Sequence, residues 1–392
     1  MRDSYDCIVV GGGPGGAWAA KYAAESGASV LLLEKDREIG VPVRCAEAAG
    51  ENGLKLVVEP DPRWITTTIE NAVLVSPHGR EVVLESGKER GYMLDRKIFD
   101  YDLVQIATTY GVEVLTKAYV YDLIKPNGRV EGVRVQHLGS RYDIRAQVVI
   151  GADGVESRVG RWGGLRTNIK MKDMESCIQM TLANLEVDSK TVYFYFGREV
   201  APGGYLWVFP KNDRVANVGL GISGEYARYK SAKRYLQEFI DKQFPHAAVL
   251  YTVVGGVPCA ATLKKIVADG LMLVGDAAHQ VNPISGGGIV TAMIAGQMAG
   301  KVAADAIKEN DVSEKRLQEY ANEWHRVEGK NHERFYKIKK AIYKLTDEDL
   351  NRTADTVLSL PSEKRTIINI FKAALVKNPS LIFDVIKVFM KN

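Results

Sequence analysis

The sequence predicts a mixed α/β fold, in which a Rossmann-type domain holds an inserted antiparallel-sheet domain and is followed by a C-terminal helical region. Three observations lead to this prediction. Buried-strand patterns end in turns rich in glycine, alanine and aspartate at 9–16, 149–154 and 273–278, as expected of a parallel sheet. Strand-like segments between 177 and 257 indicate an antiparallel sheet. The residues after Glu314 have a helical pattern throughout.

The opening unit, residues 5–35, has the pattern of a strand, a glycine-rich turn, a helix and a second strand. Gly11 allows the tight turn, Gly13 lets backbone N–H groups approach a pyrophosphate, and Gly16 lets the helix pack closely on the sheet. Glu34 ends the second strand, where it is placed to accept hydrogen bonds from ribose hydroxyls. All parts occur in order, so the unit predicts an adenine dinucleotide site.

The remaining elements follow in chain order. Up to residue 150 we expect a loop at 36–50, a hairpin at 69–85 with its turn at 77–79, a helix ending near Tyr110, one or two strands at 112–124, and strands at 130–136, 141–146 and 147–150. The inserted sheet is expected to comprise strands at 177–185, 191–196, 205–208, 216–222 and 251–257. A strand at 270–274 and a helix from Ile289 to about Ile307 then return to the first domain.

The length of 392 residues leaves room for two or three packed modules. The expected division is a nucleotide-binding domain at 1–170 and 263–312, with a small β insertion near 65–90, a substrate or catalytic domain at 171–262, and a helical region at 313–392. A hydrophobic fraction of 46% and a charged fraction of 26% are typical of a soluble globular protein.

No apolar run approaches the roughly 18 residues that a membrane span needs. We expect no signal peptide, because a strand already starts at Tyr5. These features predict a cytoplasmic protein, either free or peripheral on the cytoplasmic membrane face. The four cysteines, Cys7, Cys45, Cys177 and Cys259, form no C-x-x-C pair, which argues against a zinc site, an iron–sulfur cluster or a disulfide framework. We expect no bound metal.

Positive charge is concentrated at the C-terminal end. Residues 330–392 contain thirteen Lys/Arg and seven Asp/Glu, whereas the whole chain has a net charge of only +4. Lysines are combined with apolar residues at 335–345, and the segment 380–390 is mainly apolar with one lysine, Lys387. Such helices either pack on the protein with their lysines in solvent or rest on anionic lipid. We favour packing for 335–345 and leave both interpretations open for 380–390.

The three glycine- and aspartate-rich strand ends should lie together, because ligands of an open parallel sheet bind at the carboxyl ends of its strands. A single Gly-Asp pair is often only a turn. Three in one chain, of which the first has the dinucleotide pattern, favour a shared cofactor site.

At this point the chain resembles a known family. GGGPGG with Glu34, ADG at 152–154 and GDAAHQVNPISGGGI at 275–289 are similar to the FAD-dependent flavoproteins typified by aromatic hydroxylases. Within that group, PVRCAEAAG at 42–50, the segment 92–96 and PGGYLWVFP at 202–210 resemble the geranylgeranyl reductases. The resemblance extends over almost the whole chain.

The resemblance implies FAD as the cofactor, with contacts at Gly16, Glu34, Cys45, Ala46, Ala48, Arg96, Val120, Asp276, Gly288 and Ile289. Asp276 is suited to binding the ribitol hydroxyls of a flavin. The helix that opens at Gly288 would direct its positive N-terminus toward the pyrimidine edge and stabilise an anionic reduced flavin. Arg96 either pairs with the cofactor phosphates or is a solvated helix residue.

Two further features are expected to form the substrate site. Cys45 is either a small buried apolar residue or a group beside the flavin ring, and its loop setting favours the second interpretation. Tyr205, Trp207 and Phe209 alternate on one face of a strand. They form either the aromatic core of the sheet or the wall of a tunnel for a long apolar chain. The resemblance favours the tunnel, so we expect Tyr205 and Trp207 to contact substrate.

The resemblance therefore implies an FAD-dependent reductase that saturates the double bonds of geranylgeranyl chains in archaeal-type membrane lipids. It would draw electrons from ferredoxin, F420 or NAD(P)H and would have no nucleic-acid partner. Water and Cys45 are both candidate proton donors. Three alternatives stay open at this point, namely an aromatic monooxygenase, a membrane-associated electron-transfer flavoprotein, and a non-catalytic lipid carrier that retains FAD.

Overall fold

The computed structural model describes residues 2–84 and 90–389. Glu85 of the expected hairpin and Met390 of the last expected helix lie outside these ranges.

Within the described residues there are eighteen β-strands: β1 (Ser4–Val10), β2 (Val30–Leu33), β3 (Ala48–Gly50), β4 (Ile65–Ile69), β5 (Asn71–Val75), β6 (Glu81–Leu84), β7 (Gly91–Leu94), β8 (Glu113–Leu115), β9 (Ala118–Leu123), β10 (Gly132–His137), β11 (Ser140–Gly151), β12 (Met174–Ala183), β13 (Thr191–Tyr195), β14 (Tyr205–Asn212), β15 (Val215–Ser223), β16 (Ala248–Pro258), β17 (Val267–Ala268) and β18 (Leu271–Leu273).

The same ranges contain twelve α-helices: α1 (Pro14–Glu25), α2 (Glu51–Lys55), α3 (Arg96–Thr108), α4 (Arg158–Trp162), α5 (Gly224–Ala227), α6 (Ala232–Gln243), α7 (Ile289–Lys308), α8 (Glu314–Trp324), α9 (Lys330–Ile342), α10 (Asp347–Leu358), α11 (Ile367–Ala374) and α12 (Pro379–Phe389).

The chain forms two compact units. Unit 1 comprises Met1–Val43, Arg96–Asn168 and Ala260–His332, and unit 2 comprises Arg44–Asp95, Ile169–Cys259 and Glu333–Asn392. The four-part division expected from the sequence stays a prediction.

Unit 1 is built on an eight-stranded sheet. In the order β17-β18-β11-β1-β2-β8, the strands from β18 to β8 run parallel and β17 is antiparallel to β18. The remaining two strands, β10 and β9, join this sheet antiparallel beside β11. The strands β1 and β2 are almost entirely buried, which explains their continuous apolar sequence. α1 follows β1 directly and packs on α7. This arrangement confirms the predicted Rossmann-type domain.

The strand β11 corrects one prediction. The sequence indicated separate strands at 141–146 and 147–150, but residues 140–151 form one strand. Its first half pairs antiparallel with β10, and its second half pairs parallel with β1 and β18. Burial rises along the strand. An alternating pattern therefore changes into a continuous apolar run at mid-strand, which mimics a boundary between two strands.

Unit 2 contains a seven-stranded sheet in the order β16-β12-β15-β14-β13-β5-β6. All neighbours are antiparallel except β13 and β5, which confirms the predicted mostly antiparallel sheet. Leu206, Leu220 and Leu236 contribute to a core between this sheet and α6. The predicted hairpin is present as β5 and β6, which form one edge of the same sheet.

A second, three-stranded sheet in unit 2 was missed. It has the order β3-β7-β4. The strand β3 falls in the loop expected at 36–50, and no strand was expected at the position of β7. Both strands are only three or four residues long, so neither shows a clear period in the sequence.

The predicted C-terminal helical region is confirmed as α8 to α12. Val82 of β6 packs with Ala354 and Val357 of α10 within unit 2. Among the residues that the structure describes, no helix is long and apolar enough to cross a membrane.

Candidate active site

The fourteen residues predicted for the site divide between the units. Unit 1 contains nine of them, namely Gly11, Gly13, Gly16, Glu34, Arg96, Val120, Asp276, Gly288 and Ile289, and unit 2 contains the other five, namely Cys45, Ala46, Ala48, Tyr205 and Trp207.

The glycine-rich turn of unit 1 has the geometry that its sequence predicts. Gly11 has φ +110°, and a Cβ there would lie 2.3 Å from the carbonyl oxygen of Ala152. A Cβ on Gly16 would lie 1.9 Å from the carbonyl oxygen of Gly11. Gly13 differs, because its Cβ would meet no atom within 4 Å. Gly11 and Gly16 therefore serve the fold, whereas Gly13 leaves open space at the start of α1.

The close approach of α1 and α7 depends on glycines that the sequence analysis missed. A Cβ on Gly296 would lie 2.3 Å from the carbonyl oxygen of Gly15, and one on Gly300 would lie 2.4 Å from that of Ala19. The spacing of four residues between Gly296 and Gly300 was a usable signal, since such residues share one helix face. The start of each helix lacks a side-chain cap, so its first N–H groups remain available to a ligand.

Glu34 is held by backbone donors at both carboxylate oxygens. Its Oε2 accepts the N–H of Gly12 at 2.8 Å, and its Oε1 accepts the N–H of Asp36 at 2.9 Å. A carboxylate has about four acceptor positions, so two remain for hydroxyl groups. The carboxylate is thus held in one orientation, and its binding of a ribose stays a prediction.

Asp276 lies on a short 3-10 turn, Gly275–Ala278, that is fixed from two sides. The N–H of Gly275 donates to Gln280 Oε1 at 2.7 Å, and the hydroxyl of Ser157 donates to the carbonyl of Ala277 at 2.8 Å. Burial raises the pKa of Asp276 to about 6, although the guanidinium of Arg96 lowers it. No group in the described part of the chain donates a hydrogen bond to this carboxylate, which is partly exposed.

Arg96 is not a solvated helix residue. Its side chain is 13% exposed, and its Nε and Nη2 donate to the two carboxylate oxygens of Asp100 at 2.6 and 2.7 Å. Its pairing with cofactor phosphates stays a prediction. Val120 is 5% exposed on β9, and Ile289 is the first residue of α7.

The unit 1 residues fit FAD. The open space at Gly13 and the uncapped start of α1 suit a pyrophosphate. Glu34 retains acceptor positions for a ribose, and Asp276 has an unused carboxylate for ribitol hydroxyls. The start of α7 at Gly288 supplies further N–H groups.

The aromatic residues of unit 2 lie on one face of β14, as predicted. The ring of Trp207 lies 5.9 Å from that of Tyr205 and 6.3 Å from that of Phe209. The neighbouring strand β15 presents glycines to this face. A Cβ on Gly219 would lie 2.6 Å from Cζ2 of Trp207, so the indole lies across a strand position that has no side chain.

The position of Trp207 reveals a connection to the loop of Cys45. The indole N–H donates to Gln179 Oε1 at 3.0 Å, and the Gln179 amide donates to the carbonyl of Cys45 at 3.1 Å. Trp207 is 8% exposed. We therefore assign it a role in positioning the loop, and its contact with substrate stays a prediction.

The residue that follows Ala46 in this loop, Glu47, was not among the predicted site residues. Glu47 has φ +76° and is 4% exposed. Its Oε2 accepts hydrogen bonds from Lys211 Nζ and Asn217 Nδ2, both at 2.7 Å. Its backbone N–H donates to Cys45 Sγ at 3.2 Å. A strained backbone at a non-glycine residue is retained only where its surroundings enforce it, and here they fix the conformation around Cys45.

The remaining unit 2 residues differ in exposure. Ala46 packs against the aromatic cluster, whereas Ala48 is exposed at the start of β3. Burial raises the pKa of Tyr205, and the neighbouring Cys259 raises it further.

Comparison with known proteins places this geometry among flavoproteins. A family model described as FAD dependent oxidoreductase matches residues 6–202, and one described as geranylgeranyl reductase catalytic domain matches residues 173–257. The chain is 45% identical to digeranylgeranylglycerophospholipid reductase 2 of Methanococcoides burtonii, over 99% of this chain and 97% of that protein. It is also 45% identical to digeranylgeranylglycerophospholipid reductase of Methanocella arvoryzae, over 98% of this chain and 99% of that protein.

Solved structures give the same picture. A geranylgeranyl bacteriochlorophyll reductase-like protein from Thermoplasma acidophilum superposes with a TM-score of 0.91 at 36% identity, over 99% of this chain and 100% of that chain. A flavin-dependent brominase superposes with a TM-score of 0.68 at 19% identity, over 98% of this chain and 93% of that chain. The second likeness shows the fold alone.

Proposed function

The chain belongs to the digeranylgeranylglycerophospholipid reductase family of FAD-dependent oxidoreductases, and from this premise we propose that it hydrogenates the double bonds of geranylgeranyl chains in archaeal-type membrane lipid precursors. The observation that carries the proposal is the 45% identity to such reductases over 99% of the chain. The matched catalytic-domain model, residues 173–257, includes the aromatic strand β14.

In this proposal the unit 1 residues hold the cofactor. Gly13 and the start of α1 bind the pyrophosphate, Glu34 binds the ribose, and Asp276 binds the ribitol. Bound and reduced FAD supplies a hydride for one carbon of the double bond, and a proton must reach the other carbon. Isolated alkenes are unactivated, so their reduction depends on orientation and on exclusion of water.

The unit 2 residues supply that orientation. Tyr205, Trp207 and Phe209 form an apolar face, on which a prenyl chain loses contact with water. Two glycines of β15, Gly219 and Gly221, leave the positions opposite Trp207 and Tyr205 without side chains. Cys45, fixed through Gln179 and Glu47, lies in the loop that borders the face and shapes the site for the double bond.

Contact with a membrane surface is a further part of the proposal. In α11, α12 and the residues around them, Ile367, Val376 and Phe383 are exposed. Residues 363–389 contain five Lys/Arg and two Asp/Glu. Exposed apolar side chains beside basic ones suit an anionic lipid surface. We therefore propose that the protein is peripheral on the cytoplasmic membrane face, where its substrate resides.

The decisive test of the reaction uses the FAD-loaded protein. It is reduced anaerobically with dithionite and mixed with a digeranylgeranylglycerophospholipid in detergent. The expected results are reoxidation of the flavin and lipid products that gain two mass units per reduced bond. A flavin that stays reduced, with unchanged lipid, would contradict the proposal. Replacing dithionite with ferredoxin, F420 or NAD(P)H then identifies the external electron donor.

The membrane contact is tested separately by co-sedimentation with vesicles of anionic phospholipid. The wild-type protein should sediment, and Phe383→Glu should reduce the bound fraction. Leu56→Glu is the matched control, because Leu56 is similarly exposed elsewhere in unit 2. Equal loss of binding in both variants would contradict the assignment of this surface.

A further inference from the structure

Unit 2 contains a buried acid that has no part in the site described so far. Glu175, the second residue of β12, is 6% exposed. Its Oε1 accepts a hydrogen bond from Lys339 Nζ at 3.0 Å and another from the hydroxyl of Tyr343. Lys339 is 2% exposed and also donates to the carbonyl of Cys259 at 2.8 Å. Two donors therefore converge on one oxygen of this carboxyl group.

The other oxygen, Oε2, is in a different position. It is buried, and it has no hydrogen-bond partner in the described part of the chain. Its neighbour is Gly204, on which a Cβ would lie 3.4 Å from Oε2. A buried polar atom without a partner is rare in folded proteins and calls for an explanation. Here it lies beside Gly204, the residue that directly precedes the aromatic strand β14.

The acid lies on the same side of the sheet as the aromatic residues. Side chains two residues apart on a strand share a face, so Glu175 shares a face of β12 with Gln179, which receives the Trp207 indole N–H. Besides burial, Cys259, Cys177, Glu175 and Cys45 raise the pKa of Tyr205. Glu175 is therefore close to the same tyrosine as Cys45.

We infer that Glu175 is the proton donor of the reduction, carrying the transferred proton on Oε2. This inference rests on the proposed reductase function. The O–H bond at Oε2 breaks as a C–H bond forms at one alkene carbon, while the hydride from the reduced cofactor forms the C–H bond at the other. The π electron pair of the alkene makes the bond to the proton. The cofactor loses two electrons, and Glu175 is left as a carboxylate that solvent reprotonates.

The surroundings of Glu175 suit both of its states. Burial raises the pKa of Glu175, although Lys339 and Tyr343 lower it, so a proton is retained at a higher pH than on an exposed glutamate. Once the proton leaves Oε2, the ammonium of Lys339 and the hydroxyl of Tyr343 are already in place to stabilise the carboxylate at Oε1. Such an arrangement lowers the cost of proton donation.

The alternative is a purely structural ion pair that attaches α9 to β12. Tyr336 offers a control, because its hydroxyl bonds the carboxylate of Asp173 at 3.0 and 3.1 Å and makes a similar attachment without touching Glu175. The two roles also rank substitutions differently. If the role is structural, Glu175→Gln should keep a higher reoxidation rate than Glu175→Asp, since glutamine keeps the length of the side chain. If Glu175 is the proton donor, Glu175→Asp should keep the higher reoxidation rate, since aspartate keeps the acidic group.

The test measures flavin reoxidation by a digeranylgeranylglycerophospholipid in detergent, using dithionite-reduced, FAD-loaded wild type, E175Q, E175D and Y336F. FAD content and the midpoint of thermal unfolding are recorded for each. We expect E175Q to be about 100-fold slower or more at normal FAD content, E175D to be faster than E175Q, and Y336F to reoxidise at nearly the wild-type rate. Wild-type rates in E175Q, or equal losses in E175Q and Y336F, would overturn the inference in favour of water, Cys45 or a structural role.

Two further outcomes are distinguishable. If the wild type itself fails to reoxidise, the proposed reductase function is wrong and the inference falls with it. If E175Q does not fold, the double variant E175M/K339M replaces the buried pair by apolar side chains of similar volume, which folded proteins generally tolerate. A folded, FAD-containing double variant should again be about 100-fold slower, and a wild-type rate would overturn the inference.

Discussion

The two units achieve precise geometry by different means. In unit 1 the geometry depends mainly on close backbone packing, because Gly11 and Gly16 allow contacts that any Cβ would block. In unit 2 the geometry depends mainly on side chains, whose hydrogen bonds connect Trp207 to Gln179 and Gln179 to the Cys45 loop. A backbone site depends on residues that are near in sequence, whereas a side-chain network joins distant ones. The two designs should therefore respond to mutation in different ways.

The largest effect is expected at Gly16. Gly16→Ala places a Cβ 1.9 Å from a backbone oxygen, and we expect it to lower the free energy of unfolding by about 3 kcal/mol. Gly13→Ala is the matched control, because its Cβ meets open space and should change stability by less than about 0.5 kcal/mol. Urea unfolding checks both values. Gly13→Ala should nevertheless reduce FAD content, and equal destabilisation of the two variants would contradict the division between them.

A smaller effect, and a different one, is expected in unit 2. Trp207→Phe keeps an aromatic ring but removes the N–H that satisfies Gln179 Oε1, so it should cost about 2 kcal/mol of stability. Because the Cys45 loop loses its support, flavin reoxidation by lipid should slow while FAD content stays normal. Phe209→Leu serves as comparison, since it reduces apolar volume on the same face without removing a polar group. Equal loss of turnover in both variants would show that Trp207 acts through packing alone.

The third prediction concerns Asp276, whose carboxylate accepts no hydrogen bond from the described part of the chain. Asp276 has a folded-state pKa of about 6, against about 3.9 in an unfolded chain. Ionisation of Asp276 therefore destabilises the folded protein. The full destabilisation is present above about pH 6, and it is absent below about pH 4, where the carboxyl group is protonated in both states. A pKa difference of about two is worth about 3 kcal/mol, and we take about half of it because the carboxylate is partly exposed. Asp276→Asn should therefore raise the stability of flavin-stripped protein by about 1.5 kcal/mol at pH 8, and should change it little at pH 4.

The measurement is urea unfolding at both pH values, together with titration of FAD. We expect the stabilised variant to bind FAD more weakly, because the carboxylate is retained for its ligand at a cost to the fold. An equal gain in the free energy of unfolding of Asp276→Asn at pH 4 and pH 8 would show that ionisation of Asp276 is not the cause of the stabilisation.

The smallest effect is expected at Cys45. Cys45→Ala removes the thiol and the hydrogen bond that it accepts from the Glu47 N–H, but Gln179 still donates to the carbonyl of residue 45. FAD should therefore stay bound while lipid reduction slows about tenfold, equivalent to about 1.4 kcal/mol. Single-turnover reoxidation of the reduced flavin measures this rate. Unchanged turnover would remove Cys45 from the mechanism and would leave its loop a purely structural element.

The same contrast explains which features could be predicted from the sequence. The strand, turn, helix and acid of residues 5–34 occur in one continuous stretch, so both the fold of unit 1 and the roles proposed for Gly13 and Glu34 followed from local pattern. Gln179 and Asn217 carry no such signal. Each is a polar residue on a strand, and its importance becomes visible only when β12 and β15 bring it beside the Cys45 loop. The buried Glu175 with Lys339 was missed for the same reason.

The long strand β11 has a consequence for how the molecule opens. Residues 149–151 pair with strands on both sides, whereas residues 140–143 pair with β10 alone. One continuous strand therefore passes from a peripheral hairpin into the most protected part of unit 1. Backbone amides at its start should exchange with deuterium through local fraying, and those at its end only when the parallel sheet separates. The boundary that the sequence falsely suggested near residue 147 should then reappear as a step in exchange rates within a single strand.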